Sequence, residues 1–375
     1  MNAPHWNQFK AIAECYYVIP VDFWTRPAWH RLDVAVHAWH TDFYSDITQS
    51  RAGYPRKAVK PTPVLEDALH RLLNQAGISP EWRKPTVPTL CLTHDIDYLV
   101  PTLPMRLKRV ISKREWPFFK STEPYLDSID TLLSLDADAG GGLGVSTLFI
   151  PAPFQSTHPK TRLMQWMIDP GYRLDSPLFQ QLKRLIARYD ATVGIHGSYF
   201  SLTEKRLSQE IKQLAQTFNR AIIHSRQHWL HLPDSHASAS IHAAGIQLDS
   251  TLGWNGAVGF RCGLARPFPL IIPHAAQPLW EVPLLLMDGP LFDDMALSTN
   301  EAVTQSIELL TEVYERQGCV AINWHDRAAH PDYGWSEAYA RILDWAKARG
   351  FRFTSFNTLQ RELITMPRQV TVCPR

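Results

Sequence analysis

From Val87 to Leu92 the chain is apolar, and the run ends in Thr93-His94-Asp95-Ile96-Asp97-Tyr98. It reads as a buried strand followed by a polar tip. Side chains alternate between the two faces of a strand, so Asp95 and Asp97 are expected to point the same way from its C-terminal end. Similar short apolar runs recur at Thr89–Thr93, Ser146–Ile150, Thr192–His196, Ala221–Ser225, Gly245–Leu248, Leu279–Leu285, Cys319–Trp324 and Phe351–Ser355. Between several of them the period changes to helical. Ser176-Pro177 opens one helix, with Leu178, Leu182, Leu185, Ile186 and Tyr189 as its apolar stripe. Ser298 and Glu301 form a capping box for a second, which Gly318 stops. A third runs from Trp335 to Arg349, before Gly350.

Short apolar strands alternating with amphipathic helices predict a parallel α/β architecture. Seven or eight such units suggest an irregular (β/α) barrel spanning residues 87–375, whose functional residues sit at strand C-termini. Residues 1–86 differ, being rich in Trp, His and Pro, with one helix signal from Pro63 to Ala76 carried by Leu65, Leu69, Leu72 and Leu73. They are expected to form an N-terminal accessory region, joined by a linker at Glu81-Trp82-Arg83-Lys84-Pro85. The glycine-rich Ala139-Gly140-Gly141-Gly142-Leu143-Gly144 precedes a strand instead of following one. It reads as a turn, not a dinucleotide loop.

Composition narrows the function classes. Of 375 residues, 45% are hydrophobic and 20% charged, as in ordinary globular proteins, and the formal net charge of +2 comes with no basic run. No nucleic-acid partner is expected. Five scattered cysteines without a C-x-x-C exclude a disulfide framework or a cysteine zinc cage, and Cys91 reads as a core residue. Neither a signal peptide nor a membrane-spanning run is apparent, so a cytoplasmic location is expected.

Polar groups collect at the predicted strand ends. These are Asp95 and Asp97, His196-Gly197-Ser198-Tyr199, Arg226-Gln227-His228-Trp229, Asp249-Ser250-Thr251 and Asn323-Trp324-His325-Asp326. Two carboxylates on one strand tip cannot both ionise cheaply without a cation or a shared proton. A carboxylate and two imidazoles can hold a zinc-like divalent ion and leave a position for water. The ion would activate that water and polarise a carbonyl. A second carboxylate can then take the water's proton, and a histidine opposite can protonate the leaving group. An arginine beside the base would keep it ionised.

These motifs resemble those of NodB-type polysaccharide deacetylases. The likeness is to a divergent branch with a THDVD first motif, an HPSY-like second, an RQHYL-like third, and a fourth of the form YDSTLG…GFRCG. Here they read Thr93-His94-Asp95-Ile96-Asp97, His196-Gly197-Ser198-Tyr199, Arg226-Gln227-His228-Trp229-Leu230, and Leu248-Asp249-Ser250-Thr251-Leu252-Gly253 with Gly259-Phe260-Arg261-Cys262-Gly263. The resemblance covers roughly Thr89 to Phe356 in motif order. It implies Asp95 as general base, Asp97 and His196 as metal ligands, Arg226 orienting Asp95, and His325 as general acid aimed by Asp249. It also implies a backbone N–H near Trp229 in the oxyanion site. The reaction implied is deacetylation of an N- or O-acetylated sugar, in proteins that accompany bacterial surface-polysaccharide genes. The ion is expected to be zinc, with nickel, cobalt or manganese as alternatives.

One departure matters. The usual second motif is His-x-x-x-His, but Phe200 stands four residues after His196. His228, one strand further on, is the expected substitute, with Ser198 or water as fallback. Tyr199, Arg261 and Trp324 are candidates to line a sugar cleft. His94 is expected to face away from Asp95, and His224, His231, His236, His242 and His330 to face solvent or cap helices. A catalytically silent saccharide-binding or assembly protein is the alternative. A metal-free glycosidase fits less well, because its carboxylates would flank the bond from opposite sides.

Overall fold

The structure is a computed structural model that describes residues 3–20, 22–48, 61–82, 87–113, 122–152, 159–169, 172–203, 205–234 and 236–365. Two short strands, β1 (Tyr17–Val18) and β2 (Glu81–Trp82), pair antiparallel; part of the expected linker is thus a strand, and 83–86 lie outside the described residues. The main sheet comprises β3 (Thr89–Asp95), β4 (Thr147–Ile150), β5 (Thr192–Gly197), β6 (His224–Gln227), β7 (Leu248–Asp249), β8 (Phe268–Leu270), β9 (Leu279–Glu281), β10 (Leu284–Met287), β11 (Cys319–Asn323) and β12 (Arg352–Thr354). Its order is β10-β11-β3-β4-β5-β6-β7-β9-β8, with β12 also on β3. Every pairing is parallel except β8 with β9.

The expected strand Leu279–Leu285 divides at Val282-Pro283. Its first half pairs with β7 and its second with β11, so one bent segment joins the two ends of the sheet. The proline fits the division because it has no N–H for a ladder, while its carbonyl still accepts from the Ala321 N–H at 2.8 Å. Strand β3 is shared in a similar way. Its first residues pair with β12 and its last with β4. The result is an irregular (β/α) barrel with surrounding helices.

The N-terminal region contains helices at Pro4–Tyr16, Ala28–Thr48 and Val64–Gln75, of which only the third was expected. The first two carry their apolar stripes in aromatic residues. Trp6, Phe9 and Tyr16, and Trp29, Trp39 and Phe43, are buried, and Trp6 meets Trp29 edge-on at 5.3 Å. This layer is bonded to residues 263–271. Gln8 donates to the Pro269 carbonyl at 2.6 Å and accepts from the Ile271 N–H at 3.0 Å. Tyr16 donates to the Arg266 carbonyl at 2.8 Å. Buried residues from Trp6 to Leu279 form one apolar cluster, so the core continues across residue 86.

Candidate metal centre

Asp95 is the last residue of β3, and Arg226 lies on β6 across the barrel interior. The guanidinium is wholly buried. Its Nη1 is 2.9 Å from Asp95 Oδ1, 2.9 Å from Thr93 Oγ1 and 2.9 Å from Asn323 Oδ1. Its Nε and Nη2 donate to the Ser250 carbonyl and Oγ at 3.0 and 3.1 Å. Its plane also rests 4.5 Å from the Phe149 ring centre. Asn323 Nδ2 donates to the other oxygen, Asp95 Oδ2, at 3.0 Å. Both oxygens of this carboxylate are thereby fixed in place.

Two residues on, Asp97 serves a separate cluster. Its Oδ1 lies 3.2 Å from His196 Nε2 and 3.6 Å from His228 Nε2. Ligand atoms of the three residues all fall within 4.8 Å of one another, and all three residues are buried. Ligands about 2 Å from a zinc ion would stand roughly 3.3 Å apart in a tetrahedron. Asp97 Oδ1 is buried and has no hydrogen-bond partner. An orphaned oxygen beside two imidazoles fits a shared cation. The far ring nitrogens are tied as metal ligands require. His196 Nδ1 is 2.9 Å from the Arg226 carbonyl, and His228 Nδ1 is 3.1 Å from Asp169 Oδ1. Burial pushes the Asp97 carboxyl up, but the surrounding His196, His228 and His325 outweigh it and hold it well below the carboxylate range.

His325 follows β11 and reaches the same place, its Nε2 3.7 Å from Asp97 Oδ2. Its Nδ1 is bound to Asp288, which follows β10 and also accepts the His325 N–H at 3.0 Å. Burial opposes the imidazolium, yet the Asp288 carboxylate outweighs it and the pKa is pushed up to about 9. Arg327, two residues further, donates to Asp97 Oδ2 at 3.2 Å.

No family model and no curated protein sequence matches this chain. Solved structures do. A putative polysaccharide deacetylase from Mycobacterium smegmatis is similar over 79% of this chain and 97% of its own, at a TM-score of 0.50 and 16% identity. A second, Puue allantoinase, is similar over 76% of this chain and 96% of its own, at a TM-score of 0.50 and 12% identity. The chain has the NodB-like barrel fold.

Within that fold the structure brings together Asp95, Asp97, His196, Arg226, His228 and His325, but not every residue expected. Asp249 does not aim His325. It accepts from Ser225 and the Thr251 N–H and faces Glu281 across the β7–β9 register, while burial pushes its carboxyl up. The carboxylate on His325 is Asp288. Ser198 is no fallback ligand, because its hydroxyl and N–H both go to Glu210. Arg261 is buried beside Trp254 and donates to the Gly253 carbonyl at 3.1 Å. Trp324 is fully buried on the helix side, stacked on Tyr339 at 4.8 Å, so it lines no open cleft. Strand alternation explains this, since His325, its neighbour, points into the site. Tyr199 is half-buried and stacks on His231 at 3.9 Å. His94 faces away from Asp95, bonded to the Trp324 carbonyl and to Asp136. His224, His231 and His330 are buried instead of solvent-facing, whereas His236 is exposed.

Asp169, Asp288, Asn323 and Arg327 were not given roles from the sequence. Asp288 stood directly after an apolar run, the position that singled out Asp95. Arg327 repeats the two-residue spacing of Asp95 and Asp97. Asp169 follows a helix, Pro159–Ile168, and carried no such signal.

Proposed function

We propose that the chain is a metal-dependent hydrolase that removes acetyl groups from an N- or O-acetylated sugar or polysaccharide precursor. The observation that carries this reading is the division of the strand-end groups into a base and a ligand set. Asp95 is held by a cation and an amide, while the orphaned Asp97 oxygen faces two imidazoles. Asp97, His196 and His228 would hold a divalent ion, zinc first. When bound, such an ion lowers the pKa of a water and polarises the acyl carbonyl. Asp95 takes the water's proton, held in place by Arg226 and Asn323. His325, charged against Asp288, gives a proton to the departing sugar nitrogen or oxygen. A backbone N–H near Trp229 completes the oxyanion site. Trp229 has φ of +58° and Leu230 of +49°, strained values that cluster at functional sites. Tyr199 is retained as a substrate contact at the edge of the site. The likeness to a structure named as a putative polysaccharide deacetylase agrees with this reading. A cytoplasmic site of action, and an N-terminal region that braces the barrel, belong to the same proposal.

One observation favours a second reading, a silent saccharide-binding barrel. Arg327 already places a positive charge on Asp97. Acetate release from a panel of acetylated nucleotide-sugars, lipid-linked sugars and oligosaccharides separates the two. The wild type is expected to release acetate, and Asp95→Asn to lose about 10²-fold or more of that rate while keeping its metal. Undiminished turnover in Asp95→Asn would contradict the base role. No release from any member of the panel would favour the silent barrel.

A further inference from the structure

The helix Pro159–Ile168 ends against the centre, where its last residue and Asp169 bond to the segments that follow β5 and β6. The Ile168 carbonyl accepts from the Trp229 indole at 3.0 Å. Asp169 Oδ1 accepts from the Tyr199 N–H at 2.8 Å and lies 3.1 Å from His228 Nδ1, so one carboxylate oxygen spans both segments. The other, Asp169 Oδ2, is buried and has no hydrogen-bond partner among the described residues. An acceptor buried in that way costs stability, and the hydrogen bonds this side chain makes go to Tyr199 and His228 alone among the described residues.

The two imidazoles of the centre are held differently. His196 lies within β5, and its Nδ1 is fixed by the Arg226 carbonyl of the neighbouring strand β6. His228 lies past the end of β6, in a turn whose next residue, Trp229, has φ of +58°. An imidazole with one hydrogen can carry it on either nitrogen, and the bond made by one nitrogen decides what the other offers. An Asp169 oxygen that already accepts from Tyr199 is an acceptor for His228 Nδ1 as well. Nδ1 then holds the hydrogen, and Nε2, 3.6 Å from Asp97 Oδ1, keeps its lone pair.

We propose that Asp169 is a positioning residue of the centre, selecting the tautomer and ring orientation in which His228 turns Nε2 toward Asp97 and His196. The role rests on the ligand set of the proposed deacetylase. A carboxylate behind a metal-binding imidazole both orients it and strengthens it as a ligand. Phe200 offers no ligand, and the imidazole that takes its place comes with a carboxylate of its own.

Zinc affinity of the purified full chain, measured by competition with a chromophoric chelator, tests this. Asp169→Leu fills similar space without an acceptor and is expected to weaken binding about 10–100-fold. Asp169→Asn keeps an oxygen that can accept from both N–H groups and should recover most of the loss. In the metal-free wild type, nitrogen-15 NMR of the histidine rings should find the His228 hydrogen on Nδ1, a readout that needs neither ion nor turnover. Equal zinc affinity in Asp169→Leu and wild type, or a His228 hydrogen on Nε2 alone, would overturn the role and leave the centre standing. A wild type that takes up no zinc would overturn both.

Discussion

Arg226 and Asp288 play parallel parts at the residue scale. Each is bonded to one partner in the site, and each is itself wholly buried. Arg226 donates to Asp95 Oδ1 at 2.9 Å and fixes where that carboxylate points. Asp288 favours the protonated form of His325, overriding burial to lift its pKa to about 9 from an ordinary value of about 6.5. The sign follows directly. A raised imidazole pKa stabilises the fold fully below the unfolded value, and that contribution is lost as pH rises through the folded value. If His325 acts as the acid, kcat/KM should fall on the alkaline side as that proton is lost. In Asp288→Asn burial is unopposed by that carboxylate, so the alkaline limb should move to lower pH. A pH profile of kcat/KM checks this, and an unmoved limb would remove His325 from the acid role.

Strands deliver these groups, and their packing leaves little room at the element scale. A Cβ on Gly194 of β5 would lie 2.7 Å from the Phe149 ring and 3.0 Å from the His224 carbonyl. Phe149 is the ring on which Arg226 rests. Gly194→Ala is therefore expected to cost about 1–3 kcal/mol, seen as a lowered Tm. Gly142→Ala, where nothing lies within 4 Å of the added carbon, serves as the control and should change little. The strand ends were legible in the sequence because apolar runs of that length, stopped by polar residues, have one reading in a parallel sheet. Asp95, Asp97, His196 and Arg226, which the structure brings together, stand out as candidates on that ground. His228 becomes a candidate by asking which imidazole could stand in for a ligand at Phe200, and it lies beside Asp97 and His196. Asp169 was not legible, because its contact with His228 depends on where a helix ends in space. Asp249 was misassigned because strand order fixes which ends adjoin, and the bend at Pro283 brings β10 and its Asp288 beside β11. The aromatic stripes of the first two helices were present in the sequence but, in the second, interleaved with His30, His37 and His40.

At the scale of the whole molecule, the N-terminal layer and the barrel meet over a buried acid. Glu66 accepts from the Ala265 N–H at 2.9 Å, and burial raises its pKa from 4.5 to about 7. Its stabilising contribution is complete below about pH 4.5 and is lost as pH rises through about 7. The stability of Glu66→Gln relative to wild type should therefore improve between pH 5 and pH 8, by up to roughly 3 kcal/mol. Denaturant unfolding at the two pH values measures it, and a pH-independent difference would place Glu66 in a wetter setting. The centre likewise depends on the assembled barrel, since Asp97, His196 and His228 follow or end three different strands, β3, β5 and β6. Metal analysis of the purified chain examines that assembly most directly. One divalent ion per chain is expected, retained in Asp95→Asn and lost in both Asp97→Ala and His228→Ala. A chain that binds no stoichiometric metal, or one that keeps it without His228, would contradict the proposed centre.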